Sequence, residues 1–232
     1  MNGMVHIYCG DGKGKTTAAL GLALRAAGNG VPVVIARFLK NDGSGEVGIL
    51  ENVPGVYLFP CERQFGFTWT MSEAQKVEAG EYFSGLFERA WELGCKTARD
   101  EGEGAGKADG CMAGENWGSD SVSDGSSRRD IGVCGTGASV SGSPVSAPLT
   151  SPPCEIRALL VLDEIMAAVN SGFVANERLL AALDHRPDGL EVVLTGRGPS
   201  EELLSRADYV TEMRAVKHPY EKGVGARKGV EY

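Results

Sequence analysis

Cys9-Gly10-Asp11-Gly12-Lys13-Gly14-Lys15-Thr16-Thr17 follows directly on an apolar stretch at 5–8 and opens a proline-free helical pattern over 16–27. A strand that delivers a glycine-rich turn into a helix aims several backbone N–H groups at one small volume. The helix N-terminus adds its partial positive charge there, so a chain of phosphates is the natural guest. Gly10, Asp11, Gly12, Lys13, Gly14, Lys15, Thr16 and Thr17 are therefore the candidate triphosphate cradle. Lys15 is expected to reach the terminal phosphates, and the Thr16 hydroxyl to take a Mg²⁺ position. The usual spacing, G-x-x-x-x-G-K-[ST], needs glycine where this chain has Cys9; its first glycine is Gly10, one residue late, so the loop is a variant.

A second signature is Leu159-Leu160-Val161-Leu162-Asp163-Glu164. An apolar strand ending in an acid puts a carboxylate at the carboxyl edge of a sheet, beside such a loop. Asp163 is the candidate to hold Mg²⁺ there, directly or through water. Glu164 is either a base that activates water or a residue that orients nearby backbone. In Leu194-Thr195-Gly196-Arg197-Gly198 the flanking glycines allow close backbone approach, and Arg197 offers a planar fork to phosphate oxygens. The alternative there is an ordinary turn with a solvated arginine. Phe65-Gly66-Phe67-Thr68-Trp69-Thr70 reads either as core packing or as the wall of a flat ligand site. The stretch 214–220 is locally basic, suited to closing over an anion or to packing beside the sheet; His218 alone supports no metal or acid–base role.

The elements that must position these groups alternate. Apolar, β-branched runs at 5–8, 31–38, 56–59, 157–162, 191–195 and 209–213 predict strands. Helical patterns fill 16–27, 71–96, 176–183 and 200–206. In the longest, Ala74, Val77, Tyr82, Leu86, Ala90 and Leu93 recur at roughly helical spacing, with Ser72 and Gln75 forming a capping box. The alternation predicts an α/β domain with a mostly parallel sheet and helices on both faces.

Residues 99–153 break this pattern. Of these 55 residues 21 are Gly or Ser, and four prolines lie near the end. Such a stretch cannot bury enough apolar surface to offset its ordering entropy, so it reads as a disordered insertion in a single domain of 232 residues. A formal charge of −8 argues against nucleic acid or an anionic membrane as the main partner. No apolar run approaches the roughly 18 residues of a spanning helix. The N-terminus runs straight into the first strand, leaving no room for a signal peptide, so a cytoplasmic location is expected. Six cysteines without C-x-x-C spacing give no zinc site; they read as buried apolar residues or loop thiols, and for Cys9, beside the phosphate loop, that reading is favoured over an oxidisable thiol.

The chain resembles the P-loop corrinoid adenosyltransferases, the ATP:cob(I)alamin or cob(I)yrinic acid a,c-diamide adenosyltransferases. The matching stretches are 10–19, 36–40, 66–69, 161–164, 193–198, 216–218 and 229–232, in the family's order. Phe-Thr-Trp, Thr-Gly-Arg-Gly and the closing Gly229-Val230-Glu231-Tyr232 are the most specific of them, and the shifted phosphate loop belongs to the same pattern. The resemblance implies a RecA-like P-loop fold, a homodimer, Mg²⁺ (or Mn²⁺) as cofactor, and a flavoprotein as electron donor. It implies that Co(I) of a reduced corrinoid attacks the 5′-carbon of ATP and expels triphosphate. Lys15, Thr16 and Asp163 would then serve the leaving group, Arg197 would bind ATP, and Phe67 and Trp69 would lie against one corrinoid face. A RecA-like NTPase, with Glu164 activating water, or a noncatalytic nucleotide-binding module are the alternatives.

Overall fold

The structure, a computed structural model, describes residues 3–40, 43–61, 63–66, 68–99 and 156–230; the insertion expected at 99–153 lies almost wholly outside the described residues. Six strands form one sheet in the order β3-β2-β4-β5-β1-β6, and every pairing is parallel. They are β1 (Val5–Cys9), β2 (Val33–Arg37), β3 (Val56–Leu58), β4 (Ala158–Asp163), β5 (Leu190–Thr195) and β6 (Tyr209–Glu212). Every residue of β2, β4 and β5 is buried, as continuous apolar runs require of strands covered on both faces.

Side chains alternate across the sheet. Val33, Ile35, Leu159, Val161 and Val193 face one layer, packing with Ala19, Leu20 and Ala23 of α1 (Lys15–Gly28) and Leu50 of α2 (Val47–Leu50). Val34, Ala36, Leu160, Leu162, Val192 and Leu194 face the other. That layer holds α3 (Glu73–Arg99), α4 (Ile165–Asn170), α5 (Asn176–Asp184) and α6 (Glu201–Leu204). The two-sided, RecA-like α/β architecture expected from the alternation is therefore present, with the sheet parallel throughout.

The capping box of α3 forms as expected: Ser72 N–H donates to Gln75 Oε1 at 2.9 Å, and Gln75 N–H to Ser72 Oγ at 3.3 Å. Its buried stripe follows the one read off the spacing at Leu86 and Ala90, with Tyr82 and Leu93 partly buried against the same core, but departs from it in the first turns, where Ala74 and Val77 are exposed. Ala79, Phe83, Leu86, Phe87, Ala90, Gly94, Cys95 and Ala98 are buried, whereas Val77 is 63% exposed. Residues 72–78 are exposed throughout, so the first turns of α3 run outside the packed layer and their apolar residues have nothing to cover. Helix α4 was not apparent from periodicity. It begins immediately after β4 because Glu164 takes a left-handed conformation (φ 63°), which reverses the chain without a glycine. Among the described residues no helix is long and apolar enough to cross a membrane.

The strand order decides where chemistry can occur. β5 separates β1 from β4, so the loop after β1, Thr195 at the end of β5 and Asp163 at the end of β4 share one carboxyl edge.

Candidate active site

Gly10 has φ 106°, and a Cβ there would stand 2.3 Å from the Met213 carbonyl oxygen, so only glycine fits. The Gly12 N–H donates to that same oxygen at 2.7 Å, which ties the loop to the segment following β6. Lys15 opens α1 and is 8% exposed. Its Nζ donates to the carbonyls of Gly10 (2.8 Å) and Gly12 (2.9 Å), so the ammonium is folded onto its own loop. Burial pushes its pKa below the ordinary lysine value; the Arg197 charge adds to this, and Glu164 and Asp11 oppose it. Phosphate oxygens are the natural replacement for those two carbonyls, because they add the negative charge the buried amine lacks.

Asp163 is fully buried and accepts three hydrogen bonds. Oδ1 takes Thr195 Oγ1 at 2.6 Å and Thr16 Oγ1 at 3.0 Å; Oδ2 takes Lys40 Nζ at 2.5 Å. Lys40 Nζ also donates to Thr16 Oγ1 at 2.6 Å. Thr195 Oγ1 accepts the Glu164 N–H at 2.8 Å, so it orients the carboxylate and holds the strained turn after β4 together. The structure thus brings Lys15, Thr16 and Asp163 to one place. It adds Thr195 and Lys40, to which sequence reasoning assigned no role. Both stand in stretches that carry the family resemblance, but only the fold shows that they converge on Asp163.

The remaining loop side chains point elsewhere. The Asp11 carboxylate accepts the Ala215 N–H at 3.1 Å; that bond, ahead of the nearby Arg197 and Lys15 charges, holds its carboxyl below the usual range. Lys13 Nζ donates to the Val230 carbonyl at 2.8 Å, and Thr17 is exposed on the first turn of α1. Arg197 is exposed, with its backbone carbonyl held by Asn170 Nδ2 at 2.9 Å and its charge felt by Lys15 and Asp11. The segment after β6 lies beside the loop, and His218 serves as a local cap, its Nδ1 accepting the Tyr220 N–H at 3.2 Å. Burial raises the Cys9 thiol pKa, which favours an unreactive, neutral sulfur.

Of the aromatic run, Phe65 packs into the core against Tyr82 and Phe83 at centroid distances of 5.6 and 5.5 Å. Phe67 lies outside the described residues, and Trp69 is described only as backbone in a 3₁₀ turn, Thr68–Thr70. Phe65, Gly66 and Met71 line an open cleft with Arg63 and Glu78, which pair with each other.

Among the described residues no cluster of three or more His, Cys, Asp or Glu could hold a metal by itself. The donor set present is one hydroxyl and one carboxylate, already bridged by an ammonium. This suits Mg²⁺, which commonly takes one or two carboxylates and completes its shell with water and substrate phosphates.

Comparison with known proteins identifies the family. A corrinoid adenosyltransferase of Pseudomonas aeruginosa is 28% identical over 231 residues, covering 99% of this chain and 84% of that protein. The corrinoid adenosyltransferase CobA of Salmonella typhimurium is 31% identical over 231 residues, covering 99% and 86%. That of Escherichia coli K12 is 27% identical, with the same coverage. The sequence pattern of the family described as ATP:corrinoid adenosyltransferase BtuR/CobO/CobP matches residues 1–100 and 147–232, both sides of the glycine–serine stretch. With its phosphate loop and Asp163 strand on either side of that stretch, the chain belongs to the ATP:corrinoid adenosyltransferase family.

Proposed function

We propose that this chain transfers the 5′-deoxyadenosyl group of ATP to Co(I) of a reduced corrinoid and releases triphosphate, in adenosylcobalamin biosynthesis or salvage. The observation that carries the reading is the meeting of Lys15, Thr16 and Asp163 at one sheet edge in a member of this family. The Co(I) electron pair forms the Co–C bond as the C5′–O bond breaks, and the electrons of that bond leave on the triphosphate. The nucleophile needs no general base, so the protein's task is positioning and stabilising leaving-group charge. Lys15 exchanges its two loop carbonyls for phosphate oxygens, the loop amides line the chain, and Arg197 approaches from the β5 side. Thr16 and Asp163 would hold Mg²⁺ (or Mn²⁺), which supplies further neutralisation of the leaving group. The same reading includes a flavoprotein reductant and a homodimer, which the resemblance implies.

Supplying ATP and chemically reduced cobalamin tests the reading. The expected result is the spectrum of a Co–C bonded adenosylcorrinoid with one triphosphate per product. ADP and orthophosphate without the alkylated corrinoid would establish a P-loop NTPase instead.

In the same reading Phe67 and Trp69 form an apolar wall that excludes the lower axial ligand of cobalt and so eases reduction of Co(II). Support comes from the family pattern and from the chemistry of an aromatic wall with no ligating atom. Trp69→Ala should keep much of its rate with pre-formed Co(I) and lose most of it with Co(II) and a weak reductant. ATP affinity should hardly change. Loss of a core ring would instead cost about 3–5 kcal/mol of stability and lower both rates together. Equal losses with a collapsed thermal midpoint would remove Trp69 from the corrinoid site.

A further inference from the structure

We propose that Lys40 is a tethered counter-cation of the Thr16–Asp163 pair, a positioning residue that fills the metal locus in the nucleotide-free enzyme and is exchanged for the divalent ion on loading. The inference rests on the reading of Thr16 and Asp163 as metal ligands. Lys40 Nζ lies 2.6 Å from Thr16 Oγ1 and 2.5 Å from Asp163 Oδ2. A divalent ion held by those same oxygens, at about 2.0–2.1 Å for Mg²⁺, would need the space the ammonium occupies. The two cations therefore exclude each other.

Lys40 is aimed there by its backbone. Phe38 N–H donates to the Asp163 carbonyl at 2.8 Å, and the Lys40 carbonyl accepts the Cys61 thiol at 2.7 Å, so the chain is pinned on both sides of Leu39. Leu39 itself has φ 51°, a left-handed conformation that non-glycine residues seldom adopt outside functional or strained sites. This turn carries the chain off β2 and brings Lys40 to the phosphate loop. Charge explains the arrangement. The Asp163 carboxylate is fully buried, and an isolated buried carboxylate is strongly disfavoured. Lys40 supplies a positive charge before loading, and its side chain, 26% exposed, has a path outward when a stronger cation arrives. Once displaced, the amine remains tethered beside an incoming polyanion. The consequence is an order of events: divalent ion binds poorly alone and enters with the nucleotide.

Mn²⁺ titrated into the nucleotide-free full chain, with free Mn²⁺ read by electron paramagnetic resonance, tests this. Lys40→Met should bind Mn²⁺ at least about tenfold more tightly than wild type, because apparent affinity falls with the fraction of sites already occupied. Lys40→Arg should stay weak, and adding Asp163→Asn to Lys40→Met should abolish the gain. Without metal the Lys40→Met thermal midpoint should be lower than wild type, and Mn²⁺ should raise it more. Lys40→Gln, neutral but still a donor, replaces Lys40→Met if that variant does not fold. Unchanged or weaker Mn²⁺ binding by the neutral variant would overturn the proposal. A parallel titration with ATP separates the two ideas. If Asp163→Asn loses ATP-dependent Mn²⁺ binding while the neutral Lys40 variant gains nothing without ATP, the metal ligands stand and the role of Lys40 falls. If Asp163→Asn binds Mn²⁺ with ATP as wild type does, the ligand assignment falls first and takes the proposal with it.

Discussion

Replacing Lys15 by alanine should nearly abolish adenosyl transfer while leaving the fold intact. Among the described residues the Lys15 ammonium bonds the Gly10 and Gly12 carbonyls of its own loop and no distant group, so its removal should leave the packing there in place. What is lost is a charge-assisted contact to a developing polyanion. By analogy with deleted oxyanion donors this costs about 3–4 kcal/mol, roughly 10²–10³ in rate. The pH dependence has a definite sign. Burial, aided by Arg197, lowers the free-enzyme pKa of Lys15, and bound triphosphate favours the ammonium. ATP affinity in the wild type is therefore present below that lowered pKa and declines as pH rises through it. The variant should lack this alkaline decline. Isothermal titration with ATP and turnover with pre-formed Co(I), both across pH, check the expectation. Near wild-type turnover would refute the assignment of the loop.

How much of this was legible before folding depends on what each group needs. The phosphate loop needs glycines, a lysine and a hydroxyl in local order, and local order is what a sequence displays. Asp163 was legible because an acid ends an apolar run, and β4 places it as such a run predicts. Thr195 was not, since its importance lies in a 2.6 Å bond to a residue 32 positions away. Lys40 was hidden more thoroughly. A lysine after an apolar strand normally points to water, and only the left-handed Leu39 turns this one toward Thr16. The composition of the tail allows either a closing or a packing segment. The bond from Gly12 to Met213, spanning 201 positions, makes it part of the loop's support, which no local pattern displays. In α3 the period and most of the phase were legible, since Leu86 and Ala90 are buried and Tyr82 and Leu93 pack against the core, but the extent of the covered face was not. Exposed Val77 and buried Phe83 lie on one amphipathic helix, and only the extent of the sheet decides which turns are covered.

Substitutions at Asp163 should separate what the carboxylate does for the fold from what it does for catalysis. Asp163→Asn keeps the shape and an oxygen that can still accept from Thr195 and Thr16. It removes the charge that Lys40 and a metal require. Loss of metal-assisted charge stabilisation is worth several kcal/mol, so turnover should fall at least about a hundredfold. Asp163→Ala takes away the acceptor as well, leaving the Thr195 hydroxyl and the Lys40 ammonium without the partner they share. Breaking a buried pair costs about 3–5 kcal/mol, and Lys40 can turn outward, so the lower figure applies. For a chain of this size, ~3 kcal/mol corresponds to a fall of about 6–12 °C in thermal midpoint. Both variants should therefore be inactive, but the alanine variant alone should melt markedly early, with Thr195→Val melting early for a related reason. Turnover, midpoint and ATP-dependent Mn²⁺ binding measured on the same samples decide the matter. An asparagine variant that stays active would make Asp163 a structural anchor of the strand end, because the reacting groups would then be indifferent to its charge.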